Sequence, residues 1–202
     1  MIQLFHTVSE DCSRVVTENY STSFSSAIRL LHKDLRAPIH NIYGFVRFAD
    51  EIVDTFHEYD KALLLQQFKE ATYDALRRGI SLNPILNSFQ RTVNEYHIDS
   101  KLVNDFFLSM ERDLSKRVYN KEEYIEYVYG SAETVGLMCL YVFCEGDRDL
   151  YTQLSAPARA LGAAFQKVNF LRDIKADYNG LSRIYFPGCD FSNFTEQYKK
   201  EI

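Results

Sequence analysis

The sequence predicts an all-α protein with a single domain over residues 1–202. Apolar side chains recur at helical spacing along most of the chain, and no Asn-Gly or Asp-Gly turn joins two alternating apolar runs. Glycine and proline account for only 8 and 4 of the 202 residues, far below a fibrous or disordered composition. No linker, repeat or low-complexity tract marks a boundary, and two domains would be cramped in this length.

Charge and cysteine usage exclude several classes of protein. The 23 Lys and Arg against 28 Asp and Glu give a net charge of −5, so we expect no nucleic-acid partner. No apolar run reaches the length of a membrane span, and the first ten residues lack a secretory pattern. The four cysteines form no CxxC pair and no metal-ligand spacing. We therefore expect a cytoplasmic protein with free thiols.

Caps and apolar spacing predict the helices in order. Residues 21–23 offer caps for a helix from about Phe24 to Leu31, and Pro38 is placed as the first residue of the next helix, which extends to about His57. Further helices are predicted over 59–79, 83–96, 99–117, 121–144 and 147–178, with breaks inside the last. Residues 192–202 show the pattern of another helix that has just begun. We expect a fragment or an unusually short natural chain.

The helix over residues 39–56 combines burial with negative charge. Its apolar positions go nearly all the way round, so it is predicted to be central. Asp50 and Asp54 lie four residues apart and share a face, with Arg47 one turn earlier on the same side. Like charges at this spacing repel, and buried charges are costly unless they are paired or bound to metal.

A second helix, over residues 158–177, carries one polar stripe. The stripe consists of Gln166, Asn169, Asp173 and Asp177, with Arg172 beside it. Its amide and carboxylate oxygens are ligands that suit Mg²⁺. If the two acidic helices face each other, four carboxylates can hold Mg²⁺ ions that bridge to a diphosphate. Such a site favours ionisation of an allylic diphosphate, and the aromatic residues, 14% of the chain, can line a wall that tolerates a carbocation.

Three segments resemble the squalene/phytoene synthase family, the head-to-head trans-prenyltransferases. Residues 43–54, YGFVRFADEIVD, resemble the family's first aspartate-rich motif, and residues 160–187, ALGAAFQKVNFLRDIKADYNGLSRIYFP, resemble its second. Residues 127–136, YVYGSAETVG, resemble the tyrosine-rich helix of its central channel. The resemblance extends from Asp11 to Pro187 and is most like a bacterial phytoene synthase.

The resemblance implies an isoprenoid-synthase bundle of helices around a central cavity, here lacking the family's last helices. It implies a Mg²⁺-dependent transferase that joins two prenyl diphosphates through a cyclopropylcarbinyl diphosphate. We expect two molecules of geranylgeranyl diphosphate to give phytoene in carotenoid biosynthesis. The alternatives are a squalene or dehydrosqualene synthase that uses farnesyl diphosphate, with or without reduction by NADPH, and a non-catalytic homologue or fragment.

The resemblance also implies roles for individual residues. The expected Mg²⁺ ligands are Asp50, Asp54, Asn169, Asp173 and Asp177, and the expected catalytic residues are the four aspartates with Tyr127. The expected substrate-binding residues are Ser23, Phe24, Tyr43, Arg47, Gln166, Asn169, Arg172 and Arg183. The expected lining residues of the channel or its flap are Phe24, Tyr127 and Leu161.

Two positions depart from the family pattern. Glu51 stands where many members have a second aspartate, and its longer side chain can point away from the site. Glu133 replaces a small residue of the channel helix, where a carboxylate narrows the channel, seeks a partner or faces the surface. Since the expected substrate and product are strongly hydrophobic, we also expect transient association with a membrane surface. An apolar strip left by missing helices predicts a homodimer.

Overall fold

The computed structural model describes residues 1–176 and 184–188, and its architecture is helical, as predicted. The helices are α1 (Ile2–Tyr20), α2 (Thr22–Ile28), α3 (Lys33–Asp54), α4 (Lys61–Arg78), α5 (Pro84–Tyr96), α6 (Ser100–Ser115), α7 (Lys121–Val128), a π turn (Tyr129–Glu133), α8 (Thr134–Phe143) and α9 (Arg148–Ala176). Asp177, Arg183 and the helix expected over 192–202 lie outside the described residues. Within the described ranges there is no strand, and one isolated bridge pairs Val118 with Ile184.

The central position of α3 is confirmed, because it packs against α1, α4, α5, α6 and α8. Phe45 of α3 is fully buried and stacks on Phe89, with ring centroids 3.8 Å apart. Phe106 and Phe107 of α6 contact the same ring at 5.4 and 5.5 Å. Buried aromatic rings such as these contribute large apolar areas to the core. The α3 backbone, and with it the first acidic motif, is thereby held on a rigid support.

Helix α1 was not predicted from the sequence. Its buried face consists of Ser9, Ser13 and Thr17, which recur every four residues. These small side chains allow a close approach: Ser13 Oγ lies 2.7 Å from Ser88 Oγ, and a Cβ added at Gly44 would lie 3.0 Å from Ser13 Oγ. A helix face made of hydrogen-bonded hydroxyls has no apolar periodicity, so the pattern that reveals other helices is missing here.

The predicted start at Pro38 is wrong, because α3 begins at Lys33 and contains Pro38. Helix α9 likewise runs through Pro157 to Ala176 without the predicted breaks. A helical proline leaves the carbonyl four residues earlier without its N–H partner. Those carbonyls belong here to Asp34 and Gln153, both exposed residues, where water can satisfy them. Helix ends also differ, since α2 ends at Ile28 rather than Leu31 and α3 ends at Asp54 rather than near His57.

Helices α7 and α8 form the predicted long helix, but the π turn inside it was not predicted. The Thr134 N–H bonds to the Tyr129 carbonyl, five residues back. Ser131 Oγ donates to the Tyr127 carbonyl at 2.8 Å, and Thr134 Oγ1 donates to the Gly130 carbonyl at 2.6 Å. Hydroxyls that occupy carbonyls four residues back compete with the regular helical bonds and favour such a distortion.

Gly130 allows the π turn to lie against α6. A Cβ added at Gly130 would lie 2.0 Å from Ser109 Oγ and 2.6 Å from the Asp105 carbonyl oxygen, distances that no side chain tolerates. The glycine is therefore required by packing, and not by an unusual backbone angle.

A second, smaller core is formed by what we term the aromatic cluster. Its members are Tyr119, Tyr127, Phe170 and Tyr185, all buried. The cluster joins α7 and α9 to the segment 184–188, which is also attached where the Ile184 N–H donates to the Arg117 carbonyl at 2.8 Å. None of the described helices is long and apolar enough to cross a membrane.

Candidate active site

The first acidic motif lies on the last two turns of α3. Burial and the neighbouring charge of Asp54 raise the pKa of Asp50 to about 8, against the opposing effect of Arg47. A pair of carboxylates under this repulsion fits a divalent cation with oxygen ligands, which would remove the repulsion. No group of three or more potential ligands is assembled within residues 1–176 and 184–188, and the expected ligand Asp177 is not among them.

Arg47 pairs with Glu51 on the next turn of α3. The Glu51 carboxylate also accepts a hydrogen bond from Thr55 Oγ1 at 2.8 Å, so it is fixed at both oxygens. The Arg47 guanidinium lies over the Tyr20 ring, 4.6 Å from its centroid, and its buried Nε makes no hydrogen bond within the described residues. Glu51 thus orients the Arg47 guanidinium.

Phe24 and Tyr43 stack beside this arginine, with ring centroids 5.0 Å apart. Ser21 caps α2 by accepting a hydrogen bond from the Phe24 N–H at 3.2 Å, and it also bonds to the Tyr43 side chain. Burial raises the pKa of Tyr43. Ser23, the expected substrate contact, is exposed on the first turn of α2. Sequence reasoning missed Ser21 as a contact of Tyr43, although it had named residue 21 as a cap.

The second motif begins with two amides in a defined orientation. Gln166 Nε2 donates to Ser131 Oγ of the π turn at 3.1 Å, and Asn169 Nδ2 donates to Gln166 Oε1 at 3.4 Å. Because Ser131 uses its own proton on the Tyr127 carbonyl, its oxygen accepts from Gln166. The Asn169 amide nitrogen is thereby directed to Gln166 and its oxygen away from it. Ser131 lies in the quoted channel motif, but sequence reasoning gave it no role.

The remaining residues of the second motif are more exposed. Arg172 binds Asp173 through two hydrogen bonds, Nε to Oδ1 at 2.8 Å and Nη2 to Oδ2 at 2.6 Å. The Asp173 side chain is 40% exposed, and Leu161 is 58% exposed. That these residues meet Asp50 and Asp54 across a shared site stays a prediction.

Glu133 has a partner. Its carboxylate accepts a hydrogen bond from Arg159 Nε at 2.6 Å, and the guanidinium of Arg159 lies 5.1 Å from the Tyr129 ring centroid. Of the three expectations for Glu133, the structure supports an ion pair between the π turn and α9.

Asp113 of α6 links the two halves of the site, and sequence reasoning missed it. Its carboxylate is 3% exposed and accepts a hydrogen bond from the Tyr127 hydroxyl at 2.7 Å. Its charge also acts on Asp50, whose pKa it helps to raise. The sequence feature that could have revealed Asp113 is its position on the apolar face of α6, in line with Phe106 and Met110. A carboxylate on such a face needs a partner.

One cavity lies beside Asp113, and an apolar groove lies along α1. The cavity, of about 380 Å³, lies between the end of α3 and the end of α6, and is lined by Val53, His57, Tyr59, Asp60, Lys61, Asp113, Leu114 and Arg117. The groove, of about 670 Å³, is lined by Val8, Asp11, Cys12, Val15, Val16, Phe48, Asn83, Pro84 and Ile85. Neither lining includes Tyr127 or Leu161, whose expected place in the channel stays a prediction.

Comparisons with known proteins agree with the family resemblance found in the sequence. A sequence model of the squalene/phytoene synthase family matches residues 17–197. The 4,4'-diapophytoene synthase of Staphylococcus haemolyticus is 24% identical over 189 residues, which cover 93% of this chain and 65% of the relative. A phytoene synthase of Mycobacterium tuberculosis is 28% identical over 180 residues, which cover 85% of this chain and 55% of the relative.

A likeness in fold accompanies the likeness in sequence. The crystal structure of a dehydrosqualene synthase in complex with a ligand superposes with a TM-score of 0.79 at 23% identity, over 90% of this chain and 62% of that one. At this identity the superposition shows the fold alone. The chain spans less than two thirds of the length of each of these three relatives.

Proposed function

Because the chain belongs to the squalene/phytoene synthase family, we propose that it condenses two molecules of geranylgeranyl diphosphate head to head into phytoene. The observation that carries the proposal is the pair of repelling carboxylates, Asp50 and Asp54, beside a buried tyrosine–aspartate contact. The repulsion supports a cation-binding role, and the aromatic cluster supports a cationic intermediate.

In this proposal the Mg²⁺ ligands are Asp50, Asp54, Asn169, Asp173 and Asp177. Mg²⁺ when bound stabilises the negative charge of the leaving diphosphate. The diphosphate is also bound by Ser23, Tyr43, Arg47, Arg172 and Arg183, with Gln166 orienting Asn169. Glu51 holds the Arg47 guanidinium in place, and that guanidinium can form two parallel hydrogen bonds to phosphate oxygens.

The proposed chemistry has two ionisations. The first substrate loses its diphosphate, and the resulting allylic cation alkylates the double bond of the second substrate, which loses a proton and becomes a cyclopropylcarbinyl diphosphate. That intermediate loses the second diphosphate, rearranges and gives up a proton to form phytoene. Phe24 and Tyr127 present aromatic rings that stabilise positive charge and exclude water.

Farnesyl diphosphate is the second candidate substrate, because the similar proteins carry different product names. With it the product is dehydrosqualene, or squalene where NADPH reduces the intermediate. One experiment tests both candidates: pyrophosphate release by the purified chain is measured with each diphosphate, with Mg²⁺ and with EDTA, and the lipid product is extracted and identified.

Phytoene from geranylgeranyl diphosphate supports the proposal, and a product from farnesyl diphosphate alone replaces its substrate. Absence of release with both contradicts it and favours a non-catalytic homologue or fragment. Asp54→Asn is the matched inactive variant, and Asp149→Asn, at an exposed aspartate on the first turn of α9, is the active control.

We propose further that the protein is cytoplasmic and associates transiently with membrane surfaces, because its proposed substrate and product are strongly hydrophobic. Sedimentation with lipid vesicles, with and without geranylgeranyl diphosphate, tests this association. Binding in neither condition contradicts it.

A further inference from the structure

The carboxylate of Asp113 lies under the aromatic cluster, where two phenols approach it. The Tyr127 hydroxyl donates to Oδ2 at 2.7 Å, and the Tyr119 hydroxyl donates to Oδ1 at 3.4 Å. Tyr185 extends the contact, since its hydroxyl oxygen lies 3.5 Å from that of Tyr127. A carboxylate that is 3% exposed and accepts these bonds fixes the groups around it.

The hydrogen bond to Asp113 determines the state and the orientation of Tyr127. Burial and the carboxylate charge raise the pKa of Tyr127 well above its ordinary value, so the phenol keeps its proton and directs it to Asp113. The ring is held by Tyr119, Tyr185 and Phe170, whose centroids lie 4.9, 5.2 and 6.1 Å away. The phenol therefore has one orientation.

Asp113 is also close enough to the first acidic motif for its charge to act on Asp50. It comes from α6, whereas Asp50 comes from α3 and Tyr127 from α7. Its direct contact is with Tyr127, whereas its effect on Asp50 is smaller than that of burial and of Asp54. Its backbone is fixed as well, because the Asp113 carbonyl accepts a hydrogen bond from Arg117 at 3.4 Å.

We propose that Asp113 is a positioning residue, which holds the Tyr127 hydroxyl and ring in the orientation that the reaction requires. The inference rests on the proposed function. Asp113 acts through Tyr127, so its removal lowers kcat and changes the KM for the prenyl diphosphate little. Misplacement of a reacting group by about 1 Å costs roughly 100-fold in rate. For Asp113→Asn we expect kcat to fall by about 10- to 100-fold.

Helix α6 supplies a matched control. Asp105 accepts a hydrogen bond from the Tyr129 hydroxyl at 3.2 Å, so Asp105→Asn weakens the same kind of contact two turns earlier. In protein labelled with ¹³C at the tyrosine Cζ, the Tyr127 signal is assigned by its loss in Tyr127→Phe. Asp113→Asn is expected to shift that signal and Asp105→Asn to leave it in place. This measurement needs no enzymatic activity.

A double-mutant cycle separates positioning from general structural support. If Asp113 acts through Tyr127, Asp113→Asn lowers kcat in the wild-type background and has no further effect in Tyr127→Phe. Additive losses overturn the inference, as does an unshifted Tyr127 signal.

Tyr119→Phe, which keeps the carboxylate and removes its other phenol, provides the folded variant if Asp113→Asn is unstable. We expect it to shift the Tyr127 signal and lower kcat by a smaller factor, and no change in either overturns the inference. A wild-type chain that releases no pyrophosphate contradicts the proposed function itself, whereas an active wild type with an unaffected Asp113→Asn variant contradicts only this inference.

Discussion

Asp50 carries an electrostatic cost that a bound cation or a proton would remove. Its pKa lies at about 8, above that of the unfolded chain, so the folded protein holds this proton more tightly. Stability is therefore lost as the pH rises from about 4 through 8 and the carboxyl group becomes charged beside Asp54. Without divalent metal, we expect Asp50→Asn to raise Tm by about 3 °C or more at pH 8.5, and by less at pH 5.

Thermal melting by circular dichroism, with EDTA present, measures this difference. Glu58→Gln neutralises an exposed carboxylate shortly after the motif and should leave Tm unchanged. A gain that is equal at pH 5 and pH 8.5 would show that charge is not its cause. The same Asp50→Asn variant should release no pyrophosphate, because the stabilising change removes a proposed metal ligand.

Ser131 acts on the second motif indirectly, through its hydrogen bond with Gln166. Ser131→Ala takes away the acceptor of Gln166 Nε2, and Gln166 in turn orients Asn169. Groups that orient metal ligands typically contribute 10- to 100-fold to metal affinity. We expect the Mg²⁺ concentration that gives half-maximal pyrophosphate release to rise by about 10-fold, with little change in Tm. Ser155→Ala, which removes a similar hydroxyl–carbonyl bond on an earlier part of α9, should leave it unchanged.

At the scale of the element, the π turn depends on a close approach to α6. Gly130→Ala would place a methyl group against Ser109 and the Asp105 carbonyl, and such overpacking typically costs about 1–3 kcal/mol. For a chain of this size we expect Tm to fall by about 3–10 °C. Gly136→Ala is the control, since its Cβ would lie 3.3 Å from the nearest atom, the Ala158 carbonyl oxygen. Equal stability of the two variants would contradict the packing argument.

Most helices could be predicted because their buried faces are mostly apolar, as in α3 and α6. Helix α1 could not, since its buried face consists of the hydroxyl side chains of Ser9, Ser13 and Thr17, and Ser13 bonds across to Ser88. The π turn escaped prediction for a related reason, because a serine or threonine in a helix sequence does not reveal which carbonyl it will bond. Local composition shows amphipathic faces, whereas these two elements depend on hydrogen bonds.

Only some residues of the candidate site could be predicted from the sequence. The two acidic motifs are periodic in sequence, so Asp50, Asp54 and Asp173 could be proposed from spacing and resemblance. Asp113 and Ser131 belong to no stripe, and each matters only through a residue that is distant in sequence. Their roles therefore emerge from three-dimensional contacts and not from pattern.

At the scale of the whole molecule, one face of α9 carries apolar side chains that are half exposed. These are Leu161, Phe165, Val168 and Leu171, at 58, 63, 59 and 49%. We expect this face to mediate the homodimer proposed from the sequence, because burial of such a strip is favourable. Light scattering coupled to gel filtration should show a dimer for the wild type and a monomer for Phe165→Glu. A wild-type monomer at all concentrations contradicts the dimer, and Leu30→Glu, an exposed leucine elsewhere, is the control.

The aromatic cluster has an optical consequence. The chain contains 14 tyrosines and no tryptophan. Phe170 stacks on Tyr185 at 4.2 Å and lies within 6.1 Å of Tyr127. The substitution Phe170→Trp would introduce the only tryptophan of the chain. The neighbouring tyrosines would transfer their excitation energy to its indole ring. Its emission would then report, in real time and without a radiolabel, whether the environment of Tyr127 changes when a prenyl diphosphate enters.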